Sequence, residues 1–212
     1  MRRLSTLVNK FCCSHMVGIM EALENVRQIP VDFEIVCEID QRSPAVVAAR
    51  DALLNRAMGL NWKRKSSQKL RRGRRPSEGL SFVARDQAGC LVGTVRLWDV
   101  SMGAGGPAAL LLGPLAVDPA LKGAGVGKAL MSHAISEAER LGHKVILLVG
   151  DASYYARFGF SADNTGALAM PGPYERHRFL ALELVPGAIG NAAGTLQATG
   201  RRVRPARVPD AA

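Results

Sequence analysis

Acidic side chains are in short supply in this 212-residue chain: 18 stand against 28 lysines and arginines, for a formal net charge of +10. That balance predicts attraction to anions such as nucleic acid, acidic membrane or phosphorylated ligands. Long apolar runs are missing too. None approaches the roughly 18 residues needed to cross a bilayer, so no membrane partner is expected. The four cysteines, Cys12, Cys13, Cys37 and Cys90, include no CxxC pair, and no Cys/His cluster has zinc-ligand spacing. They read as reduced thiols in a cytoplasmic protein, and no metal is expected. There is no internal repeat.

Aromatic residues make up only 5% of the chain, and none lies among the basic residues of its two basic runs. One run is Lys63, Arg64, Lys65, Lys69, Arg71, Arg72, Arg74 and Arg75; the other is Arg201, Arg202, Arg204 and Arg207. Without interleaved aromatics they lack the base-stacking signature of a single-strand binder. They read as a solvated loop and a solvated tail, and nucleic acid is the lesser alternative. Arg2 and Arg3 precede a short apolar stretch, but Asn9 and Lys10 interrupt it, which argues against a secretory signal. No acid occurs in residues 1–20, which keeps a transit peptide open, and Met16 and Met20 are alternative starts.

What is present is mostly globular, since 48% of residues are apolar. The reading gives three segments: an N-terminal extension over 1–30, a domain over 31–185, and a basic, partly disordered tail over 186–212. Within the domain, Val31 to Ile39 alternates like a strand. Ser43-Pro44 starts a helix that Gly59 ends. Residues 61–79 read as a long mobile loop. Strands follow at 81–85, 91–98 and 109–117, with a hairpin at 86–89. Gly127 to Leu141 is a helix, Lys144 to Val149 a buried strand, Tyr154 to Phe158 a helical turn, and Phe179 to Val185 a last strand. The order predicts a mixed α/β domain.

The informative stretch is LLLGPLAVDPALKGAGVGKALM, residues 110–131. A strand runs through Gly123, Gly125 and Gly127 into a helix that lacks a side-chain cap. From Gly123 to Ile135 there is no acid, although helix starts favour acids, and Lys122 and Lys128 sit there instead. Free first-turn amides, small residues and nearby lysines suit a bound phosphate. A P-loop is excluded, because only three residues separate Gly123 from Gly127 and Ala129 follows Lys128. A dinucleotide fingerprint fails because Leu130 stands where its third small residue belongs.

Lys122-Gly123-Ala124-Gly125-Val126-Gly127 resembles the Q/R-x-x-G-x-G/A loop of GNAT acetyltransferases, with lysine at the first position. Leu115-Ala116-Val117-Asp118-Pro119 resembles that family's fourth strand, and Tyr155-Ala156-Arg157-Phe158-Gly159-Phe160 its Y-x-x-x-G-F segment. The wider pattern over residues 31–185 is most similar to the bacterial YhbS-like branch. The resemblance implies a mixed, mostly antiparallel central sheet flanked by helices, with splayed central strands, and transfer of an acetyl group from acetyl-CoA to an amine acceptor by direct attack. It assigns the pantetheine arm to Leu115, Ala116 and Val117, with Gly113-Pro114 as the source of the splay, and a backbone amide near Val117 to the thioester carbonyl. It assigns the pyrophosphate to Lys122, Gly123, Ala124, Gly125, Val126, Gly127 and Lys128, and the proton for the departing thiolate to Tyr155. Tyr154 is a competing candidate. It also leaves a homodimer open, and a CoA-binding module without turnover is the alternative from another class.

Two departures stand out. Leu148 occupies the place where many relatives carry asparagine, with Asp151 or Ser153 as candidate substitutes. No general base announces itself, and Glu34, Glu38 and Asp99 are candidates by position. Asp118 reads as a turn former, and His133 and His143 as surface residues.

Overall fold

The computed structural model describes residues 32–38 and 43–203. The expected N-terminal extension, with Cys12 and Cys13, lies outside the described residues, as do Arg204 and Arg207 of the tail.

The first strand, β1 (Phe33–Cys37), lies at one edge of the sheet. Helix α1 (Pro44–Met58) opens with proline in its first turn, where no amide is needed, and stops at Gly59. There φ is +73° and the amide donates to the Asn55 carbonyl at 3.0 Å. Strands β2 (Ser81–Asp86) and β3 (Leu91–Ser101) form the expected hairpin. Its turn is closed by the Gly89 N–H donating to Asp86 O at 2.8 Å. Then come β4 (Ala108–Val117), a 3₁₀ turn at Pro119–Leu121, and α3 (Val126–Arg140), numbered after a short α2 described below. β5 (Val145–Val149), α4 (Ala152–Tyr155), β6 (Ala167–Ala169), β7 (Phe179–Glu183), β8 (Ala193–Thr195) and β9 (Gln197–Ala198) complete the order.

The main sheet runs β1-β2-β3-β4-β5-β7, with β9 also on β3. Only β4 and β5 are parallel; every other pair in this sheet is antiparallel. The expected mixed, mostly antiparallel architecture is therefore present. Side-chain alternation explains why β4 and β5 are apolar throughout: both of their faces are covered. Leu110, Leu112, Ile146 and Leu148 join a core with Val126, Leu130, Met131, Ala134 and Ala138 of α3. Ala109, Leu111, Val145 and Leu147 point the other way, to Trp98, Leu168, Phe179 and Leu196. Gly93 of β3 lets α3 approach closely, because a Cβ there would stand 2.8 Å from Leu130 Cδ1.

Two expectations need correction. Residues 61–79 are not one long loop. Leu60–Arg64 is a 3₁₀ turn that buries Trp62, and α2 (Gln68–Arg71) buries Leu70 and Arg71. Trp62 packs with Leu54 and Ala116, so the segment has an apolar anchor just before the basic run. The tail also stays with the domain to Val203: β8 pairs with β6, β9 with β3, and Leu196 is 1% exposed. Glycine and alanine composition had hidden those short strands.

Candidate active site

The site begins where β4 and β5 part. They pair only at Leu110–Ile146 and Leu111–Leu147, although β4 continues to Val117. On its other side β4 keeps pairing with β3, and there the register shifts. Leu112 faces Leu97 and Leu115 faces Val95, so Gly113 and Pro114 together oppose Arg96. This is a β-bulge, which bends the strand away from its neighbour. The Trp98 indole N–H donates to Gly113 O at 2.6 Å and fixes the bulge from β3. Leu115, Ala116 and Val117 lie just beyond it, paired with Val95, Thr94 and Gly93 on one side only. Gly113, Pro114 and Leu115 line a cleft with Leu148, Val149 and Tyr155.

The glycine loop follows. Asp118 shapes the turn after β4, accepting from the Ala120 amide at 3.1 Å and from Arg56 Nη2 at 2.7 Å. Gly123 and Gly125 have φ of +91° and +83°, and a Cβ on either would meet no atom within 4 Å. Gly125 is the left-handed residue that starts α3, with no side-chain cap and no acid in the first turn. The first helical bond runs from the Ala129 amide to Gly125 O at 3.0 Å. The amides of Val126, Gly127 and Lys128 therefore precede the helical ladder, as orphan donors at the positive end of the dipole. Val126 is buried and pins the loop, Ala124 packs against the same core, and Lys122 and Lys128 are exposed.

The two tyrosines point to different parts of this region. Tyr154 Oη stands 3.0 Å from where a Gly127 Cβ would be, and the Arg157 guanidinium lies 4.8 Å from its ring centre. Burial raises its hydroxyl above the ordinary value, against the pull of Arg157. Tyr155 enters the β4–β5 cleft. A Gly150 Cβ would lie 2.2 Å from its ring, so glycine is required for the ring to sit there. Burial, then Tyr154, pushes the Tyr155 hydroxyl up to about 12, with Arg178 and Arg71 opposing. Both tyrosines are thus hydroxyl donors at neutral pH. Asp151 and Ser153 engage each other: Asp151 Oδ1 accepts from the Ser153 amide at 3.1 Å and its hydroxyl at 3.0 Å, which caps α4.

The carboxylates proposed as bases are placed otherwise. Glu38 is 6% exposed and bonded to Arg50, to Arg96 Nη2 at 2.7 Å and to the Ser81 hydroxyl at 2.8 Å. Burial raises its carboxyl, but Arg96, Arg50 and Ser81 together hold it below the ordinary range. Asp99 pairs with Leu110, on the far side of the bulge from Leu115–Val117, and Glu34 is exposed on β1.

Sequence reasoning missed Arg71. It reads as one more charge in a solvated run, yet it is 9% exposed, lines the cleft and donates to Leu112 O at 3.4 Å. The signal that could have found it is the pair Trp62, just before that run, and Leu70, within it. The run is also no continuous basic strip. Lys63 pairs with Asp51 at 2.7 Å, and Arg74 donates to Gly200 O at 2.5 Å.

Residues 77–162 match the family model described as an acetyltransferase (GNAT) domain. The chain is similar to the uncharacterized N-acetyltransferase YhbS of Escherichia coli K12, 26% identical over 147 residues, covering 69% of this chain and 87% of that protein. The crystal structure of Escherichia coli YhbS in complex with CoA is similar at a TM-score of 0.64, with 25% identity, over 80% of this chain and 91% of that one. A GNAT family acetyltransferase from Brucella melitensis, solved in complex with acetyl-CoA, shares the fold at a TM-score of 0.55 with 24% identity, over 74% and 90% of the two chains. Among the described residues no helix is long and apolar enough to cross a membrane.

Proposed function

We infer that this chain, which carries a GNAT acetyltransferase domain, transfers an acetyl group from acetyl-CoA to a primary amine by direct attack on the thioester. One observation carries the reading. The opened edge of β4 and Tyr155 line one cleft, and β4 leads from there through the glycine loop into the uncapped start of α3.

The residues fit acetyl-CoA on physical grounds. A β-edge without a partner strand offers backbone donors and acceptors to an extended amide-bearing arm, which is the chemistry of pantetheine. Leu115, Ala116 and Val117 would hold it. Orphan amides in a loop with open space over its glycines suit a pyrophosphate. Lys122, Gly123, Ala124, Gly125, Val126, Gly127 and Lys128 would hold that. When bound, acetyl-CoA supplies an acyl group already activated as a thioester.

The chain's own part is positioning and charge stabilisation. As the new N–C bond forms and the C–S bond breaks, the amine loses a proton to water or a base and the sulfur leaves with the electron pair. Tyr155 donates a hydrogen bond to that sulfur. A phenol held near 12 is a weaker acid than a thiol, so donation, rather than full transfer, is its main contribution at the moment of cleavage. An amide near Val117 polarises the acyl oxygen.

The test is the melting temperature of the full chain with saturating acetyl-CoA, against adenosine diphosphate as control. At about 100 times the dissociation constant the fold gains roughly 2.7 kcal/mol, a rise of several degrees. A rise specific to acetyl-CoA, followed by amine-dependent thiol release, supports the reading. No rise overturns it. A rise without thiol release from any amine favours the non-catalytic CoA-binding module.

A further inference from the structure

We propose that the acceptor amine carries an anionic group, a carboxylate or phosphate, and that this group docks on Arg71 beside the bulge of β4. The proposal deepens the acetyltransferase reading and rests on it.

Arg71 is the exception among the buried arginines. Arg50 and Arg96 share Glu38. Arg71 is as buried as they are, yet no carboxylate pairs with it among the described residues. Its Nη2 reaches only a carbonyl, Leu112 O, at 3.4 Å, and its Nε is buried without an acceptor. The surrounding charge makes matters worse. Burial, then Arg96, pushes the guanidinium down to about 9, and burial, then Arg178 and Arg71, lowers the Lys65 ammonium below its ordinary value. Asp51, which lines a hollow together with Arg71, is engaged with Lys63 at 2.7 Å.

A desolvated cation is costly unless an opposite charge meets it. No carboxylate among the described residues does so here, while the guanidinium borders open space on two sides. It lines the cleft that holds Gly113, Leu115 and Tyr155, and an adjoining hollow bounded by Trp62, Trp98 and Pro114. A planar guanidinium matches carboxylate and phosphate oxygens. Lys65 on the rim adds a second cation of the same preference. The loop expected to take pyrophosphate lies beyond the end of β4, at the start of α3, whereas Arg71 meets β4 earlier along the strand, at the bulge. The acceptor side of the site is therefore built to receive negative charge next to the reacting end.

The experiment compares two matched amine pairs, β-alanine with β-alaninamide and phosphoethanolamine with ethanolamine, in a thiol-release assay with the full chain and saturating acetyl-CoA. In the unmodified protein one anionic member should exceed its neutral partner in kcat/KM by about 10- to 100-fold. Which pair shows it distinguishes carboxylate from phosphate. In Arg71→Met the contrast should collapse while the acetyl-CoA melting shift persists, and Arg71→Lys should restore part of it. Equal or better use of the neutral amines overturns the proposal. So does a contrast that survives Arg71→Met, or an acetyl-CoA shift that disappears in that variant. If none of the four amines is used, inorganic phosphate and acetate are titrated against the CoA-saturated protein. A melting shift that depends on Arg71 then supports the proposal, and its absence refutes it. Absence of any anion contrast in the unmodified protein, with its acetyl-CoA shift intact, sinks this inference alone. A wild type that does not respond to acetyl-CoA sinks the reading beneath it.

Discussion

Replacing Gly125 with alanine should separate the two demands placed on the glycine loop. Gly125 has φ of +83° and open space where a Cβ would go, so the penalty is one of backbone conformation rather than collision. A left-handed L-residue costs about 1–2 kcal/mol. For a domain of this size, that lowers Tm by roughly 2–8 °C. If the residue relaxes instead, the amides at the start of α3 turn away from their common focus. A tenfold loss of affinity would then cut the stabilisation by acetyl-CoA, at a concentration near 100 times the original dissociation constant, from about 2.7 to about 1.4 kcal/mol. Gly127 is the internal control. Its φ is helical, so alanine gains about 0.5–1 kcal/mol of helix propensity there. Against that gain stands one contact, the Tyr154 hydroxyl 3.0 Å from the new Cβ. Thermal unfolding of both variants, with and without acetyl-CoA, is the assay. Gly125→Ala should lose both stability and ligand response, while Gly127→Ala stays close to the parent in stability. Equal losses at the two positions, or an unaffected Gly125→Ala, would refute the argument that the left-handed start of α3 shapes this loop.

Further consequences follow from buried groups. Glu38→Gln leaves Arg50 and Arg96 without their shared charge and should cost about 3–5 kcal/mol, a drop in Tm of roughly 6–20 °C by thermal unfolding. Because Glu38 is held below its ordinary value, its contribution is complete above the ordinary carboxylate range and is lost as pH falls through the folded-state value. Acid titration of the parent should therefore show a loss that is missing in Glu38→Gln. Tyr155→Phe should lower kcat by about 100-fold with the acetyl-CoA melting shift retained, while Tyr154→Phe should change kcat far less; with Tyr155 near 12, the parent's pH–rate profile should show no basic limb from it below about pH 10. Gly150→Ala would put a methyl group 2.2 Å from the Tyr155 ring, so it should reproduce the kinetic loss of Tyr155→Phe without removing the hydroxyl.

The shape of the glycine loop and of the start of α3 was readable because it belongs to the backbone. Gly123 and Gly125 adopt conformations that other residues resist, and the missing acids between Gly123 and Ile135 mark a helix start that has other business than a side-chain cap. Gly113-Pro114 was likewise legible as an irregularity, since proline cannot donate to a ladder. The long periodic helix and the apolar run of β5 were legible for the usual reason, that burial sets their pattern. β6, β8 and β9 were not, because two or three small residues carry no period. The stretch from Lys63 to Arg75 misled for a different reason. A count of charges cannot tell an arginine that faces water from one that a neighbouring Trp62 and Leu70 have drawn inward.

That difference also bears on how the site is held open. Two successive carbonyls of the bulge, Leu112 O and Gly113 O, are taken by Arg71 from α2 and by the Trp98 indole from β3. The bend in β4 is thus held by side chains of the protein itself. It falls just beyond the last β4–β5 pair, Leu111 with Leu147, where the two strands have already separated. One residue therefore serves two ends. Arg71 ties α2 to the bulge through its weaker bond and keeps the rest of its guanidinium uncommitted. Of the two bonds, the indole bond at 2.6 Å is the shorter and holds the strand more firmly than the Arg71 bond at 3.4 Å.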